Sequence, residues 1–489
     1  MFEYVPALSE TLIGSVLVDG LAHPRRKFFL RSPRTIWLLL CLTLVLFGFF
    51  LALSGNSAFA AISTLALHLL AVLASNAKNR MLGEPLLFTD LALVGAMFRH
   101  PQFYFSVLTV FQKSIGIAAL IAVVLVLGWL IRPSWSMVSA GAMLAGGGLV
   151  LTDLSFRLGL YRNLVRQPDL ETHARAFGLV PSLLLYWLRW RESLADNRTG
   201  APTSSGAPRE ESALIVVVQC ESYADPVELF DDPAQALPSL EASRADAVQW
   251  GNLLVSGFGA YTMRTEYGVL YGLDENALGF RLYDPYMTAI GDAAHALPNK
   301  LGKETWHSVF VHPHDMRFYN RARIMPSAGF AELVSEDEFA PPSASEGRYV
   351  TDAAVAQKIL DHASAIDAPA FIYAVTIENH GPWAPHGDSG SDHMVENYLR
   401  MVRAGDDMLR ALREGIASLE KPAILVFFGD HRPSIPGASV PGGERHTPYV
   451  MIQFDEKGQI IAGENRRADL TPAQLHHALL ALNGRGATN

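Results

Sequence analysis

The chain has 489 residues, more than one ordinary domain requires. Hydrophobic residues make up 50% of it and the mean hydropathy is +0.18, which is unusual for a purely soluble protein. The net charge of −9 is unevenly distributed: residues 1–200 carry 17 Lys and Arg against 10 Asp and Glu, and the rest of the chain carries 22 against 38. The acidic second part argues against a nucleic-acid partner. The whole pattern is typical of a basic membrane anchor joined to a soluble domain.

Four apolar runs in the first part are close to the length that crosses about 30 Å of hydrocarbon. They lack the polar stripe of a core helix. They comprise residues 35–53, 57–75, 115–131 and 136–151. We therefore predict an α-helical membrane region at residues 35–155 with four or five spans. The amphipathic stretch 84–113 either supplies the fifth span or lies at the membrane interface.

Polar and aromatic segments flank the predicted spans. Residues 24–34 hold five Arg and Lys side chains, which predicts that residues 1–34 form a cytoplasmic N-terminal segment. Residues 179–190 combine Leu, Tyr and Trp with Arg189, as in a helix that lies at the interface. The run 197–208, rich in Gly, Pro, Ser and Thr, has the composition of a flexible linker. We assign residues 156–209 to this interfacial helix and linker.

After residue 210, short apolar runs alternate with amphipathic stretches, a pattern that predicts an α/β domain with a mostly parallel sheet at residues 210–489. One amphipathic stretch is 397–412, and Thr471 followed by Pro472 has the form of an N-cap that opens a helix through Leu482. The predicted strands are residues 214–218, 308–311, 371–375, 423–428 and 449–452. The expected fold is thus a multi-span α-helical membrane region followed by an α/β domain.

Polar side chains follow four of the predicted strands: Glu221, His312, His380, and Asp430 with His431. Ligands of open α/β sheets bind beyond the carboxyl ends of the strands, so these groups are expected to converge on one rim. Each of them alone is more simply explained as a surface or capping residue. Their joint placement at strand ends favours a functional site.

The adjacent carboxylate and imidazole of Asp430 and His431 suit one divalent metal ion, with Mn²⁺ favoured and Zn²⁺ or Mg²⁺ possible. Glu221 ends a run of three valines and is either a further metal ligand or a turn residue. An Asp N-cap beside an exposed His would explain Asp430 and His431 equally well. The pair is therefore a weak signal by itself.

Thr262 follows a loop with glycines at 257 and 259 and precedes a helix-forming segment. A helix that starts at Thr262 places the hydroxyl at the positive N-terminus, where a phosphate is favoured and an alkoxide forms more easily. The alternative is a plain N-cap in which Thr262 pairs with Thr265 or Glu266 as in a capping box. The two interpretations are compatible.

Two further segments carry side chains suited to a phosphate ester. Arg321 offers bidentate hydrogen bonds to a phosphate, and Tyr319 offers a ring to a glycerol or sugar. His380 is a candidate general acid or oxyanion donor, and Trp383 is a candidate wall of the site. An aromatic loop with a solvated arginine would explain the first segment as well.

Together these segments resemble the alkaline phosphatase/sulfatase superfamily, and within it the membrane-bound lipoteichoic acid synthase and phosphoglycerol transferase group. The resemblance covers residues 210–485 and a similar multi-span N-terminus. GAYTMRTEYGVLYG at 259–272 looks like the nucleophile segment, QCES at 219–222 and GDH at 429–431 look like the metal-ligand segments, and FYNR at 318–321 and NHGPW at 379–383 look like the substrate-binding segments. Tyr319 departs from the Trp common in the family. No Cys or Ser lies in a Cys-x-Pro-x-Arg context, which argues against formylglycine-type sulfatase chemistry.

The resemblance implies a membrane-anchored phosphotransferase. Thr262 would attack the phosphodiester of a phospholipid such as phosphatidylglycerol and form a phosphoglycerol-threonine intermediate, which a glycan or glycolipid hydroxyl then resolves. His380 would also be catalytic. The implied ligands of one metal ion are Glu221, Thr262, Asp430 and His431. The implied substrate-binding residues are His312, Tyr319, Arg321 and Trp383.

Other functions fit the same residues. The donor head group could be phosphoethanolamine, the acceptor could be water, as in a phosphodiesterase, or the chain could be a non-catalytic membrane scaffold or sensor. The resemblance also implies a bacterial inner (plasma) membrane with the catalytic domain on the extracytoplasmic side. Four spans after a cytoplasmic N-terminus, and the arginines that follow the last span, would place that domain in the cytoplasm. We expect the extracytoplasmic side, which requires an odd number of spans and is satisfied if residues 86–111 cross.

Overall fold

The structure is a computed structural model. It describes residues 3–25, 31–90, 134–195, 212–343, 347–383, 391–435 and 437–484, with ten further positions between 114 and 131. The chain folds into two units, Met1–Asp196 and Asn197–Asn489. The division falls at the start of the predicted linker.

The first unit is helical. The helices α2, α3 and α4 are long and apolar enough to cross a membrane, and they contain the predicted spans 35–53, 57–75 and 136–151. The stretch 179–190 lies within α6. The predicted span 115–131 and the stretch 84–113 lie largely outside the described residues. The helix bounds are α1 (Val5–Asp19), α2 (Pro33–Ser54), α3 (Ser57–Leu82), α4 (Trp135–Arg157), α5 (Leu170–Phe177) and α6 (Leu179–Ala195).

The helices α2 and α4 run antiparallel in close contact. Near the start of α2, the indole nitrogen of Trp37 donates to the hydroxyl of Ser155, near the end of α4, at 3.0 Å. Further along, a Cβ on Gly48 would lie 2.4 Å from the backbone nitrogen of Ala145, and a Cβ on Gly141 would lie 2.6 Å from the carbonyl oxygen of Gly48. Glycine allows the two backbones to approach this closely, as is common between membrane helices.

A bulky side chain at this contact should force the two helices apart. We expect Gly141→Leu to lower the melting temperature of the detergent-solubilised protein, because overpacking a tight contact costs about 1–3 kcal/mol. Gly146→Leu is the matched control, since Gly146 lies on the same helix and no neighbouring atom of the described residues comes within 4 Å of an added Cβ. Thermal unfolding followed by circular dichroism measures the difference. Equal melting of the two variants would contradict this account of the packing.

The helix α1 packs along α3 and runs in the same direction. Ala7, near the start of α1, shares an apolar cluster with Ala60, near the start of α3. Just after α1, the backbone nitrogen of His23 donates to the side-chain oxygen of Asn76, near the end of α3, at 2.7 Å. α1 is therefore antiparallel to α2 and passes from one end of the helical unit to the other.

The two ends of the first unit differ in charge. We name the end that holds the α2–α3 turn at Gly55 the hairpin face. The opposite end, where α2 begins and α4 ends, is named the arginine face. The arginine face carries Arg31, Arg34, Arg157 and Arg162.

Asp19, the last residue of α1, ties several elements together at the arginine face. It forms a buried ion pair with Arg31 at 2.5 Å and accepts a hydrogen bond from the backbone nitrogen of Val180, in α6, at 3.0 Å. Both the end of α1 and the start of α6 therefore lie at this face. Within the predicted N-terminal segment 1–34, α1 begins at the hairpin face and ends at the arginine face.

Eight strands of the described second unit form one sheet in the order β4-β3-β5-β1-β6-β7-β2-β8. β7 is antiparallel to both of its neighbours, and the other pairings between these strands are parallel. This confirms the predicted mostly parallel sheet. The strand bounds are β1 (Leu214–Cys220), β2 (Gln249–Leu253), β3 (His307–Val311), β4 (Glu332–Val334), β5 (Ala370–Val375), β6 (Ala423–Gly429), β7 (Thr447–Phe454) and β8 (Arg466–Arg467).

The five predicted strands lie within β1, β3, β5, β6 and β7, and the other three were not predicted. β2 contains Gly251 and Asn252, which are poor strand formers. β4 and β8 have only 3 and 2 residues. Strands this short give no period-two signal in a sequence.

Helices cover the sheet. A large apolar cluster packs side chains of the central strands against α13 (Asp352–Ala365) and α14 (Ser391–Ala417). α14 contains the predicted helix 397–412, and Thr471 caps α15 in a capping box with Gln474. The helix bounds in this unit are α7 (Pro226–Phe230), α8 (Pro238–Asp246), α9 (Thr262–Tyr271), α10 (Glu275–Leu278), α11 (Leu297–Leu301), α12 (Arg321–Ala328), α13 (Asp352–Ala365), α14 (Ser391–Ala417) and α15 (Pro472–Leu482).

Candidate active site

The carboxyl ends of β1 and β6 bring three potential metal ligands together. The two strands are parallel neighbours, with Cys220 opposite Gly429. The next residues, Glu221 and Asp430, therefore leave the sheet side by side. Each of Glu221, Asp430 and His431 offers one ligand atom, and these atoms lie within 4.8 Å of one another.

In the cluster of Glu221, Asp430 and His431, the side-chain atoms that are not used in hydrogen bonds with the fold lie close to one another. Asp430 Oδ1 accepts from the backbone nitrogens of Ser222 and His431 at 2.8 and 2.9 Å. Its Oδ2 is buried with no hydrogen-bond partner among the described residues. His431 Nδ1 donates to the carbonyl of Arg432 at 3.2 Å, and its Nε2 lies 3.5 Å from Glu221 and 3.4 Å from Asp430. An unsatisfied buried carboxylate oxygen beside an imidazole lone pair fits a divalent cation.

The charges at this point also favour a cation. Burial raises the pKa of Glu221 well above its usual range, and the nearby Asp430 carboxylate raises it further. The pKa of Glu221 is lowered in turn by His431, the Ser222 hydroxyl and Arg321. Two buried carboxylates repel each other when both are ionised. A positive ion between them would remove that repulsion.

Thr262 is the first residue of α9 and lies beside the same strand ends. Its carbonyl accepts from the side-chain nitrogen of Gln219, in β1, at 3.5 Å. The preceding residue, Tyr261, has φ 77°, a left-handed conformation that costs about 1–2 kcal/mol for a residue other than glycine. Such backbone strain is concentrated at functional sites. The Thr262 side chain thus opens a helix whose N-terminal dipole favours an anion.

Thr265, the other hydroxyl of this segment, is used by the fold. Its hydroxyl donates to the backbone carbonyl of Asp430 at 2.8 Å, and it is 1% exposed, whereas Thr262 is 9% exposed. This bond and the one from Gly259 to the Arg432 carbonyl at 2.8 Å hold the start of α9 against the Asp430 loop. The capping-box alternative is wrong, because Tyr261 is the N-cap residue and α9 has no side-chain cap hydrogen bond.

Arg321 is buried and held from two directions. Its Nε and Nη2 donate to the two oxygens of Glu266 at 3.1 and 2.6 Å, and its Nη1 donates to His312 Nε2 at 3.1 Å. His312 Nδ1 donates to the Val375 carbonyl at 3.0 Å. Burial, aided by the Arg321 charge, lowers the pKa of His312 well below its usual range. The alternative of a solvated arginine is wrong, since Arg321 is 1% exposed.

Tyr319 lies beside this arginine. Its ring centre is 5.2 Å from the guanidinium carbon of Arg321 and 6.4 Å from the ring of Tyr286. The Tyr286 hydroxyl donates to Glu266 at 2.5 Å. Tyr319 and Asn320 both have positive φ, so the chain turns sharply just before Arg321. The turn and the aromatic contacts fix the direction of the guanidinium group.

His380 lies in the loop after β5. Its Nδ1 donates to the Gly381 carbonyl at 2.7 Å. Burial lowers the pKa of His380, while the Asp430 charge opposes that change. His380 is therefore neutral with its proton on Nδ1, and Nε2 is the nitrogen able to accept a proton.

Trp383 lies in the core beneath this loop. It is 7% exposed and packs edge-on against Tyr398, in α14, with ring centres 5.6 Å apart. Its indole nitrogen donates to Asn379 at 2.9 Å, and Asn379 donates to the carbonyl of Ser222 at 3.4 Å. As placed, Trp383 positions the loop that carries His380 and connects it to the residue after Glu221.

Sequence reasoning missed the part that Glu266 plays, having considered it only as a capping partner. Glu266 is 0% exposed and binds both Arg321 and Tyr286. All ten residues of α9 are buried, so a carboxylate on this helix requires a buried partner. The sequence offered no such signal, because the burial of α9 on every side follows only from the tertiary structure.

The sequence model of the family described as Sulfatase matches residues 213–483. This range contains every site residue described above. A curated relative, the capsular polysaccharide biosynthesis protein RkpI of Rhizobium meliloti (strain 1021), is 29% identical over 459 residues, which cover 90% of this chain and 85% of RkpI.

Solved structures share the fold. The integral membrane protein lipooligosaccharide phosphoethanolamine transferase A (EptA) from Neisseria meningitidis is 14% identical with a TM-score of 0.56, and the match covers 98% of this chain and 95% of EptA. The phosphoglycerol transferase GacH of Streptococcus pyogenes is 17% identical with a TM-score of 0.46 over 62% of this chain and 81% of GacH. Because the family match spans more than half of the sequence, this chain belongs to the sulfatase family.

Proposed function

We propose that this protein is a membrane-anchored phosphotransferase that moves a phosphoglycerol-type head group from a phospholipid to a glycan or glycolipid through a phospho-threonine intermediate. The observation that carries the proposal is the start of α9, where Thr262 is held against the strand ends that present Glu221, Asp430 and His431. A non-catalytic scaffold would gain nothing from a strained Tyr261 or from a buried carboxylate oxygen without a donor. The name of RkpI, a capsular polysaccharide biosynthesis protein, supports a glycan acceptor.

Two displacements at phosphorus complete the reaction. In the first, Thr262 Oγ1 bonds to the phosphorus and the bond to the diacylglycerol oxygen breaks. The Thr262 hydroxyl loses one proton and the leaving oxygen gains one, and His380 Nε2 accepts and returns this proton. In the second, an acceptor hydroxyl displaces Thr262 Oγ1, and the proton moves in the reverse sense.

Arg321 is the residue suited to hold the phosphoryl oxygens. Three of its five N–H groups bind Glu266 and His312, and the other two, which have no partner among the described residues, are suited to a phosphate. The buried carboxylate fixes the guanidinium before the substrate arrives, which is the form of charge stabilisation that accelerates a reaction most. The Tyr319 ring lies beside the Arg321 guanidinium and would contact the glycerol of the head group.

The metal ion belongs at the carboxyl ends of β1 and β6. Glu221, Asp430 and His431, with Thr262, would hold it, and we favour Mn²⁺ over Zn²⁺ and Mg²⁺. A divalent cation in this place supplies Lewis-acid stabilisation of the negative charge on the phosphoryl group.

Labelled lipids test the proposed donor and acceptor. The full-length protein is incubated with a glycan acceptor and with phosphatidylglycerol or phosphatidylethanolamine that carries an isotope in the head group. We expect label from phosphatidylglycerol to appear in the glycan. Label from phosphatidylethanolamine alone would identify a phosphoethanolamine transferase, and release of soluble glycerol phosphate would identify a phosphodiesterase. No lipid turnover, with no metal found by elemental analysis, would favour the scaffold.

We also propose that the catalytic unit lies on the extracytoplasmic side. α1 begins at the hairpin face, while α6, the last helix before the linker, begins at the arginine face. Residue 90 and residue 134 lie at opposite faces as well, since α3 ends at the arginine face and α4 begins at the hairpin face. A start of α1 in the cytoplasm therefore places the arginine face, and with it the start of α6, on the extracytoplasmic side. The positive-inside rule applied to Arg31 and Arg34 favours the opposite orientation, so the orientation has to be measured.

Cysteine labelling in intact cells tests this orientation. Cys41 and Cys220 are buried, so the background from a membrane-impermeant maleimide is low. We expect Thr172→Cys, on the exposed surface of α5, to react in intact cells, and Ser136→Cys, exposed at the start of α4, to react only after the membrane is permeabilised. The opposite pattern would place the catalytic unit in the cytoplasm.

A further inference from the structure

A pocket of about 450 Å³ opens in the first unit, where α4 ends and α6 passes. It lies at the arginine face, at the end of a helix able to cross a membrane. Its walls combine charge with apolar surface. The guanidinium groups come from Arg157, Arg162 and Arg189, and the apolar side chains are Phe156, Leu185 and Leu188.

Arg189 forms the base of this pocket. Its Nη2 donates to the carbonyl oxygens of Tyr161 and Arg162 at 3.2 and 2.8 Å, and its Nη1 pairs with Glu192 at 2.6 Å. These bonds hold the turn that follows α4 onto α6. Arg189 therefore builds the pocket, since its guanidinium is used in contacts within the fold.

The other two arginines are available to a ligand. Arg157 pairs with Asp153 at 2.7 Å, but both side chains are more than half exposed, and ion pairs in water are weak. Arg162 is exposed and makes no ion pair with any described part of the chain. The pocket thus carries a net positive charge and favours an anion. Guanidinium groups match the two oxygens of a phosphate by bidentate bonds.

Exposed apolar residues also lie on the two helices that form the pocket, outside its lining. Leu154 and Leu158, at the end of α4, are 47% and 70% exposed. Trp187, on α6, is 36% exposed, and the Arg191 guanidinium lies 4.8 Å from the centre of its ring. Tryptophan is enriched at the level of lipid head groups. A soluble phosphate would leave the apolar side chains of the pocket, Phe156, Leu185 and Leu188, in water, whereas a lipid covers them with its acyl chains.

We propose that this pocket binds the phosphate group of a membrane phospholipid. Arg157 and Arg162 donate to the phosphate oxygens, and Phe156, Leu185 and Leu188 contact the upper part of the acyl chains. The site lies within the first unit and is built from none of the residues of the candidate active site. The proposal therefore holds whether or not the bound lipid is also the donor in head-group transfer.

Lipid titration of the full-length protein tests the proposal. Native mass spectrometry is performed on the Thr262→Ala protein, so that turnover cannot consume the ligand. The probes are phosphatidylglycerol, diacylglycerol, which lacks the phosphate, and glycerol 3-phosphate, which lacks the chains. We expect phosphatidylglycerol to bind most tightly. Arg157→Ala combined with Arg162→Ala should weaken its binding by about 10-fold or more, since hydrogen bonds to charged groups are stronger than those between neutral groups.

The matched control is Arg175→Ala. Arg175 is an exposed arginine of α5 that pairs with Glu171 and does not line the pocket. This variant should bind phosphatidylglycerol as the parent does, and equal melting temperatures will show that all variants are folded. Unchanged lipid affinity in the double variant would overturn the proposal. Diacylglycerol or glycerol 3-phosphate binding as tightly as phosphatidylglycerol would overturn it too, and loss of transfer activity has no bearing on either result.

Discussion

Thr262→Ala is expected to reduce head-group transfer by at least about 10³-fold while the protein remains folded, because removing a nucleophile leaves only the contribution of binding and charge stabilisation. Thr262 is the first residue of α9 and has no side-chain cap role there. The substitution also removes no large apolar group, so the stability should change by no more than about 1 kcal/mol. Transfer of labelled head group, measured beside thermal melting, gives both results.

Thr265→Ser is the control for this prediction. It keeps the hydroxyl that donates to the Asp430 carbonyl and should retain most of the activity. With phosphatidylglycerol and no acceptor, mass spectrometry of the wild-type protein should detect a phosphoglycerol adduct on the peptide that contains Thr262. Transfer by the Thr262→Ala protein at more than a few per cent of the wild-type rate would rule out the covalent route.

Glu266→Ala is expected to destabilise the second unit by about 3–5 kcal/mol and to remove most of the activity. The reason is that Arg321 and Glu266 are 2% and 0% exposed at their side chains. Removing the carboxylate leaves a buried guanidinium with no counter-charge, and the Tyr286 hydroxyl also loses its acceptor. Denaturant unfolding of the detergent-solubilised protein measures the loss. Glu241→Ala, at an exposed position on α8, is the control and should change the stability by less than about 0.5 kcal/mol.

A second substitution separates the charge from the packing. Glu266→Ala combined with Arg321→Met removes both charges, so it should cost less stability than Glu266→Ala alone. Activity should remain low in the double variant, because the group proposed to hold the phosphate is gone. If the two substitutions have additive effects on stability, the ion pair is not the reason that Glu266 is buried.

Local patterns in the sequence were sufficient for the architecture. Runs without charge predicted α2, α3 and α4, and the alternation of apolar and amphipathic segments predicted five strands of a mostly parallel sheet. A parallel sheet places the residues after its strands along one edge, so Glu221 and Asp430 could be placed near each other before their register was known. The short strands β2, β4 and β8 could not be predicted, since their pairing depends on partners distant in the chain.

The partners of buried polar groups followed only from the tertiary structure. The sequence alone left Arg321 equally compatible with solvent and with a phosphate, and it left Glu266 as a helix cap. The fold joins them, because the start of α12 and the buried face of α9 meet beside β3 and β5. The choice between the two threonines is a second example. Thr265, and not Thr262, donates to the Asp430 carbonyl, because α9 packs against the end of β6.

The two faces of the first unit also show what the sequence determined and what only the tertiary structure decided. Composition predicted which segments are apolar, but the pairing of α1 with α3 placed the start of α1 and the start of α6 at opposite ends of the unit. The sequence by itself determined which segments are helices, strands and candidate ligands, since hydrophobic periodicity and residue type act over a few neighbouring positions. Only the tertiary structure decided which charges meet, which hydroxyl is committed to the fold and which ends share a face, because these depend on contacts between segments far apart in the chain.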